Sequence, residues 1–261
     1  MEQRTPAGCL PFTESGPHGA GAPVVLLHGF GGDAAGWSLV QAPLAAHRRT
    51  LAFDLPGHGQ ALDWPEIGGA GIAARAVRQS LAALGLEKVH LVGHSMGGAT
   101  AVLVALKAPE RIASLTLLAP GGFGFEINHR LLRRYAAATD AGELEMLLEQ
   151  FFGYEFDLPP FVARQAAEAR ARPGARDALI AIVEQLIDGK TQKVLPRDAL
   201  AGLEVPVKIV WGTQDRVLPT RQSHKLPGEV ATHVFERVGH MPHLEIPEAV
   251  CRLIREQLAH A

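Results

Sequence analysis

Two cysteines in 261 residues supply no disulfide framework, and Cys9 and Cys251 read as free thiols in a reducing compartment. Excess charge of either sign is missing too, with 25 Lys and Arg against 27 Asp and Glu. Neutralising several phosphates needs a basic surplus, so the composition excludes nucleic acid as a main partner. Apolar stretches such as Ala101 to Leu106 fall far short of the ~20 residues that cross a bilayer, and no membrane span is expected. Met1-Glu2-Gln3-Arg4-Thr5-Pro6 puts no apolar segment behind a basic start, which predicts no secretory signal and a cytoplasmic location. The Pro6-Ala7-Gly8-Cys9 stretch therefore lacks the export signal that lipidation would need. There is no H-E-x-x-H, and the twelve histidines are scattered, so no metal site is expected. Gly31-Gly32-Asp33 lacks the Lys-Ser/Thr of a phosphate loop, and no cofactor is implied. Repeats, heptads and low-complexity tracts are absent.

What is present is a rhythm. From Val24, short aliphatic or β-branched runs alternate with helix-length segments, the signature of parallel strands joined by crossover helices, and the fold class is α/β. The strands expected are Val24 to His28, Arg49 to Asp54, Lys88 to Gly93, Ile112 to Leu118, Val207 to Trp211 and Thr232 to Val238, with Gly8 to Ser15 as an antiparallel edge. Helices are expected over Asp33 to His47, with Asp33 as N-cap, and over Ala70 to Leu84, Met96 to Lys107 and Leu244 to His260. After Leu118 the rhythm breaks. Asn128 to Thr139, Glu143 to Phe152, Pro160 to Arg172 and Asp177 to Ile187 have helical apolar spacing, so residues 122–196 read as a helical cap inserted into a core domain of residues 1–121 and 197–261. The cap holds Phe123, Phe125, Phe151, Phe152, Phe156 and Phe161. Such rings either fasten a cap to the sheet or line a pocket, and different rings can do each. Its arginines Arg130, Arg133, Arg134, Arg164, Arg170 and Arg172 are expected mostly on solvated helix faces.

Gly93-His94-Ser95-Met96-Gly97 matches G-x-S-x-G between an apolar strand, Val89 to Val92, and an Ala/Val/Leu-rich helix, the context in which the motif makes a nucleophile elbow. The turn strains its central residue and needs small residues two positions away. A serine hydroxyl is a poor nucleophile without a base, and the base needs an orienting carboxylate. Downstream, Asp215 follows the strand ending at Trp211, and His240 follows the strand ending near Val238, both at the strand edge where open α/β sheets gather function. His243 is the rival base. The oxyanion donors expected are the N–H groups of Met96, directly after the serine, and Phe30, in His28-Gly29-Phe30-Gly31-Gly32. His94, Phe123, Phe152 and Tyr154 are candidates for the pocket wall, and His58 is expected to shape the turn Asp54-Leu55-Pro56-Gly57-His58-Gly59.

These segments, together with Trp211-Gly212-Thr213-Gln214-Asp215 and Gly239-His240-Met241-Pro242-His243, resemble the α/β-hydrolase superfamily over nearly the whole chain. Gly121 to Asn128 and the form of the insertion are similar to the hydrolase-like domain of acetoin-dehydrogenase acyltransferase subunits. Those subunits carry an N-terminal lipoyl domain, whereas here the hydrolase pattern begins within the first tens of residues, so a free-standing enzyme is expected. A serine at the elbow separates the chain from dehalogenases and epoxide hydrolases, which place an aspartate there. The resemblance implies a serine hydrolase acting on an ester or thioester of a small to medium acyl substrate. C–C bond hydrolysis, perhydrolysis and acyl transfer on the same triad are the alternatives, and a non-catalytic ligand receptor is the alternative of a different class.

Overall fold

Val24-Val25-Leu26-Leu27 and Thr50-Leu51-Ala52-Phe53 have no polar face to turn toward water, so strands built from them must be covered on both sides. That is what the computed structural model, which describes residues 6–19 and 21–260, contains. Met1 to Thr5, on which the signal-peptide reading rests, lies outside the described residues. The strands are β1 (Phe12–Ser15), β2 (Val24–Leu27), β3 (Thr50–Phe53), β4 (Val89–His94), β5 (Ile112–Leu118), a short hairpin of β6 (Ile187–Asp188) and β7 (Thr191–Gln192), then β8 (Val207–Gly212) and β9 (Val230–Phe235). Seven form one sheet in the order β1-β3-β2-β4-β5-β8-β9, with every pair parallel except β1 on β3.

The helices are α1 (Ser38–Ala45), α2 (Ala70–Ala83), α3 (Met96–Lys107), α4 (His129–Ala137), α5 (Ala141–Leu148), α6 (Pro160–Ala171), α7 (Ala175–Leu186), α8 (Pro242–Glu245) and α9 (Pro247–His260). On one face α1 packs on α9 around Trp37, Val40, Leu44, Val250 and Ile254; on the other, α2 packs on α3. The sheet is therefore doubly wound. From β2 the chain moves outward to β3, and from β4 it moves the other way to β5, so the switch point lies between β2 and β4. Helices α4 to α7 all fall between β5 and β8. Among the described residues no helix is long and apolar enough to cross a membrane. Cys9 and Cys251 are both free and buried.

The departures from expectation are local. The segment after Asp33 starts as a 3₁₀ turn, Ala34–Trp37, before α1, although Asp33 does cap it by accepting from the Gly36 N–H. The C-terminal helix is two helices, because Pro247 disfavours a helical residue before it and Ile246 takes φ −137°, ψ 52°. Strand β9 starts at Val230 and ends at Phe235 rather than running to Val238; Arg237, at φ 62°, turns the chain away. The N-terminal edge strand keeps only Phe12–Ser15. Hairpin β6–β7 was not expected, though Asp188-Gly189 is a turn signal and Gly189 has φ 60°.

Candidate active site

Strand β4 ends at His94 and helix α3 begins at Met96, so a single residue makes the turn. Ser95 adopts φ 52°, ψ −114°, a sparsely populated conformation that costs on the order of 1–3 kcal/mol. Its neighbours two positions away are constrained by contact. A Cβ on Gly93 would overlap the Gly97 carbonyl, and one on Gly97 would overlap the carbonyls of Leu27 and His28. The elbow is pinned by Ser95 N–H donating to Leu118 O at 2.9 Å and by Gly121 N–H donating to Ser95 O at 2.9 Å. Ser95 stands at the N-terminus of α3, whose dipole favours negative charge there.

His240 lies in the loop between β9 and α8, with Nε2 2.9 Å from Ser95 Oγ and Nδ1 2.8 Å from Asp215 Oδ2. Asp215 is fully engaged: Oδ1 accepts from the N–H groups of Val217 and Leu218, each at 2.8 Å, and Oδ2 also accepts from Trp211 Nε1 at 3.0 Å. A carboxylate held this way has no freedom to turn. With Nδ1–H donated to Asp215, the Nε2 lone pair faces the serine hydroxyl. His243 is elsewhere: it sits in α8 with its ring 4.7 Å from Trp37 and 4.5 Å from His94, and its buried Nδ1 has no partner.

The glycine loop after β2 is folded back on itself. Gly32 N–H donates to Gly29 O, and Gly31 N–H donates to His58 Nε2 at 3.1 Å, while His58 Nδ1–H donates to Pro56 O. Among the described residues the N–H groups of Phe30 and Met96 have no acceptor. His28 ties the same loop to the β3 end, donating from Nδ1 to Gly29 O and accepting the Leu55 N–H. Burial lowers the pKa of His28 to about 4 and that of His58 to about 3. Burial, then His243 and His240, holds His94 well below the ordinary range, and burial lowers His243 to about 3. These imidazoles stay neutral at physiological pH.

A cavity of about 570 Å³ opens over Ser95 and His240, walled mostly by apolar side chains. Of the four expected wall residues, His94 and Phe152 line it. His94 also donates from Nε2 to His240 O at 2.7 Å. Phe123 does not line it; it is fully buried against Trp211, ring centroids 6.3 Å apart, and fastens the start of the insertion to β8. Tyr154 does not either. It is 70% exposed, because Gly153 N–H is drawn to Glu245 Oε2 and the chain leaves the rim there.

Sequence reasoning missed the strap that this segment forms. Residues 149–154 hold both loops that carry Asp215 and His240: His240 N–H donates to Phe151 O at 2.7 Å, Arg216 Nη2 donates to Glu149 O and Phe152 O, and Tyr154 N–H donates to Gln214 Oε1 at 2.8 Å. Glu245 joins them, accepting the N–H groups of Gly153, Gly239 and Met241 at 2.8–3.1 Å. Burial raises the Glu245 pKa. The expectation of solvated arginines fails at Arg170, which is 5% exposed and lines the cavity. Among the described residues no group of three or more His, Cys, Asp or Glu is placed to hold a metal ion.

Residues 22–247 match the family model described as alpha/beta hydrolase fold. The chain belongs to the α/β-hydrolase family. Within the family, it is 37% identical over 245 residues to a protein of Pseudomonas putida named dihydrolipoyllysine-residue acetyltransferase component of acetoin cleaving system, covering 92% of this chain and 64% of that one. It thus spans less than two thirds of that relative's length. It is 32% identical over 259 residues to 2-hydroxy-6-oxo-6-phenylhexa-2,4-dienoate hydrolase of Burkholderia cepacia, covering 93% and 89%. Among solved structures, a variant of the meta-cleavage product hydrolase CumD superposes with TM-score 0.86 at 25% identity, covering 98% and 97% of the two chains. These relatives of the α/β-hydrolase chain include named hydrolases of small molecules.

Proposed function

We propose that this α/β-hydrolase cleaves an ester or thioester of a small to medium acyl group through an acyl-enzyme on Ser95. The observation that carries the reading is the continuous Ser95–His240–Asp215 hydrogen-bond chain, 2.9 Å and 2.8 Å, at the floor of an apolar cavity. Ser95 Oγ attacks the acyl carbon while its proton passes to His240 Nε2, and the carbonyl electron pair moves onto oxygen. The N–H groups of Phe30 and Met96 receive that oxyanion. Collapse expels the alcohol or thiol, which takes the proton from His240. Water then repeats the sequence on the acyl-enzyme, returning Ser95 and releasing the acid. Residues 122–196 act as the cap, whose rings exclude bulk water and limit the acyl group.

A second reading, hydrolysis of a C–C bond beside a carbonyl, is favoured by the dienoate hydrolases at 30–32% identity. A third, acyl transfer to an acceptor other than water, draws on the name of the Pseudomonas putida relative. Fluorophosphonate labelling of Ser95, followed by a panel of p-nitrophenyl esters, acyl thioesters and a ring-fission dienone, tests all three. Absence of labelling in folded protein would overturn the serine hydrolase reading, and turnover of the dienone alone would replace ester cleavage by C–C cleavage.

A further inference from the structure

The cavity over Ser95 is short of negative charge. Among the described residues Asp33 is the sole acid along its wall, and Asp33 Oδ1 is already occupied as the cap that accepts from Gly36 N–H. Positive groups are there. Arg75 is bridged to Glu66, Lys193 stands at the rim, and Arg170 lies in the wall itself.

Arg170 differs from the exposed arginines of the insertion. Arg133 is paired with Glu184, and Arg134 with Glu143. Arg170, although buried, has no carboxylate within 4.0 Å among the described residues. Its Nη1 donates to Ala166 O at 2.9 Å, its Nη2 donates to Tyr135 O at 3.2 Å, and its Cζ lies 4.3 Å above the Tyr135 ring. Its Nε–H is buried with no partner. Two neutral carbonyls and a ring face offset part of the cost of burying a guanidinium, and a full counter-charge is missing.

Arg170 shares the cavity with Ser95 and His240 and is linked to them through packed rings. The Tyr135 ring beneath it is 6.2 Å from the ring of Phe30 and 5.0 Å from Phe151, and Phe151 is 6.1 Å from His240. Tyr135 packs where Gly31 has no side chain. The Tyr135 ring therefore stands between the guanidinium and Phe30 of the oxyanion loop, and two rings, Tyr135 and Phe151, stand between it and His240. Each Nη keeps a second N–H beyond those given to Ala166 O and Tyr135 O, and a planar guanidinium edge is shaped to take a carboxylate, so a ligand carboxylate in the cavity would supply the missing charge.

We propose that Arg170 anchors a carboxylate of the substrate, so that the ester or thioester cleaved at Ser95 bears a free acid group. This rests on the reading of Ser95 as the nucleophile. The carboxylate belongs either to the acyl part or to the leaving group, and two substrate series separate these. One compares p-nitrophenyl hemiesters of dicarboxylic acids, succinic to suberic, with their methyl-capped counterparts. The other compares 4-carboxyphenyl hexanoate with its methyl-capped form. In one series the wild-type protein is expected to favour the free acid roughly 10- to 100-fold in kcat/KM. Arg170→Gln should bring that ratio toward one, Arg170→Lys should keep part of it, and free dicarboxylate should inhibit the wild-type protein competitively. The wild-type ratio needs no variant to fold. Equal turnover of acid and capped esters in both series, or a preference that survives Arg170→Gln, would overturn the anchor and leave the hydrolase reading standing. No turnover of any ester and no labelling of Ser95 would overturn both.

Discussion

Ser95→Ala removes the hydroxyl from an otherwise intact elbow, so the expected outcome is loss of turnover by ~10⁴-fold or more with a melting temperature close to the parent's. The same reasoning sets the order of the partners. His240→Ala should cost about as much as Ser95→Ala, and Asp215→Asn somewhat less, since its one remaining oxygen can keep the Val217 and Leu218 amides while the imidazole still acts from a poorer tautomer. The double variant should be no worse than the worse single, because the three groups act as one unit. Steady-state kinetics on the singles and the double check this. Additive losses would separate the residues, and an inactive His243→Ala beside an active His240→Ala would reassign the base. That second outcome conflicts with a His243 ring packed on Trp37 and His94 and a His240 Nε2 already on Ser95 Oγ.

Between elements, the strap at 149–154 makes a prediction about positioning. Glu245 accepts three backbone N–H groups, two of them flanking His240 and one from the insertion. Glu245→Gln replaces one acceptor oxygen by an amide donor facing those same N–H groups, at a cost of about 1–3 kcal/mol. It should lower kcat by roughly 10-fold or more, since small misplacement of a base is costly, and it should change KM little. The rate of fluorophosphonate labelling, measured well below the melt, should fall in step with kcat; an unaltered labelling rate would make Glu245 a purely structural cap. The rings divide in the same way. Phe123→Ala should cost ~3–5 kcal/mol with the order of acyl-length preference kept, whereas Phe152→Ala should reorder short against long acyl chains, read by a melt beside an ester series. The sequence makes the elbow legible because a one-residue turn demands small residues at fixed offsets, and Asp215 and His240 because they follow strands of one parallel sheet. Glu245, Gln214, Arg216 and Arg170 carry no such local mark. Their roles come from contacts such as Gly153 with Glu245 and Tyr154 with Gln214, between segments far apart in the chain. Boundaries failed where single residues, Pro247 and Arg237, decided them, and the placement of Tyr154 failed at Gly153.

At the scale of the molecule, the fold stores protonatable groups where protons are unwelcome. Burial is the leading cause that lowers His28 and His90 to about 4, His58 and His243 to about 3, and His94 well below its ordinary value. In the unfolded chain these imidazoles titrate near 6.5. Above that pH both states are neutral, and the five histidines do not affect the pH dependence of stability. As pH falls through about 6.5 the unfolded chain takes up protons that the folded one refuses, so stability drops by up to about 1.4 kcal/mol per pH unit for each histidine, down to about 4 for His28 and His90 and about 3 for His58 and His243. Asp54 and Glu245, raised by burial, act with the opposite sign once the pH approaches the carboxylate range, and two groups offset only part of five. By pH 5 the summed loss is on the order of 5–10 kcal/mol, comparable with the whole stability of an ordinary domain. Thermal melts from pH 8 to pH 5 should therefore stay level to about pH 7 and then fall steeply, with several protons taken up on unfolding near pH 5. His58→Gln, which can still accept the Gly31 N–H, should lower that uptake by about one. A melting temperature that holds level from pH 7 to pH 5 would mean that these histidines titrate normally in the folded protein, and that His28, His58, His94 and His243 do not form a neutral cluster around Ser95.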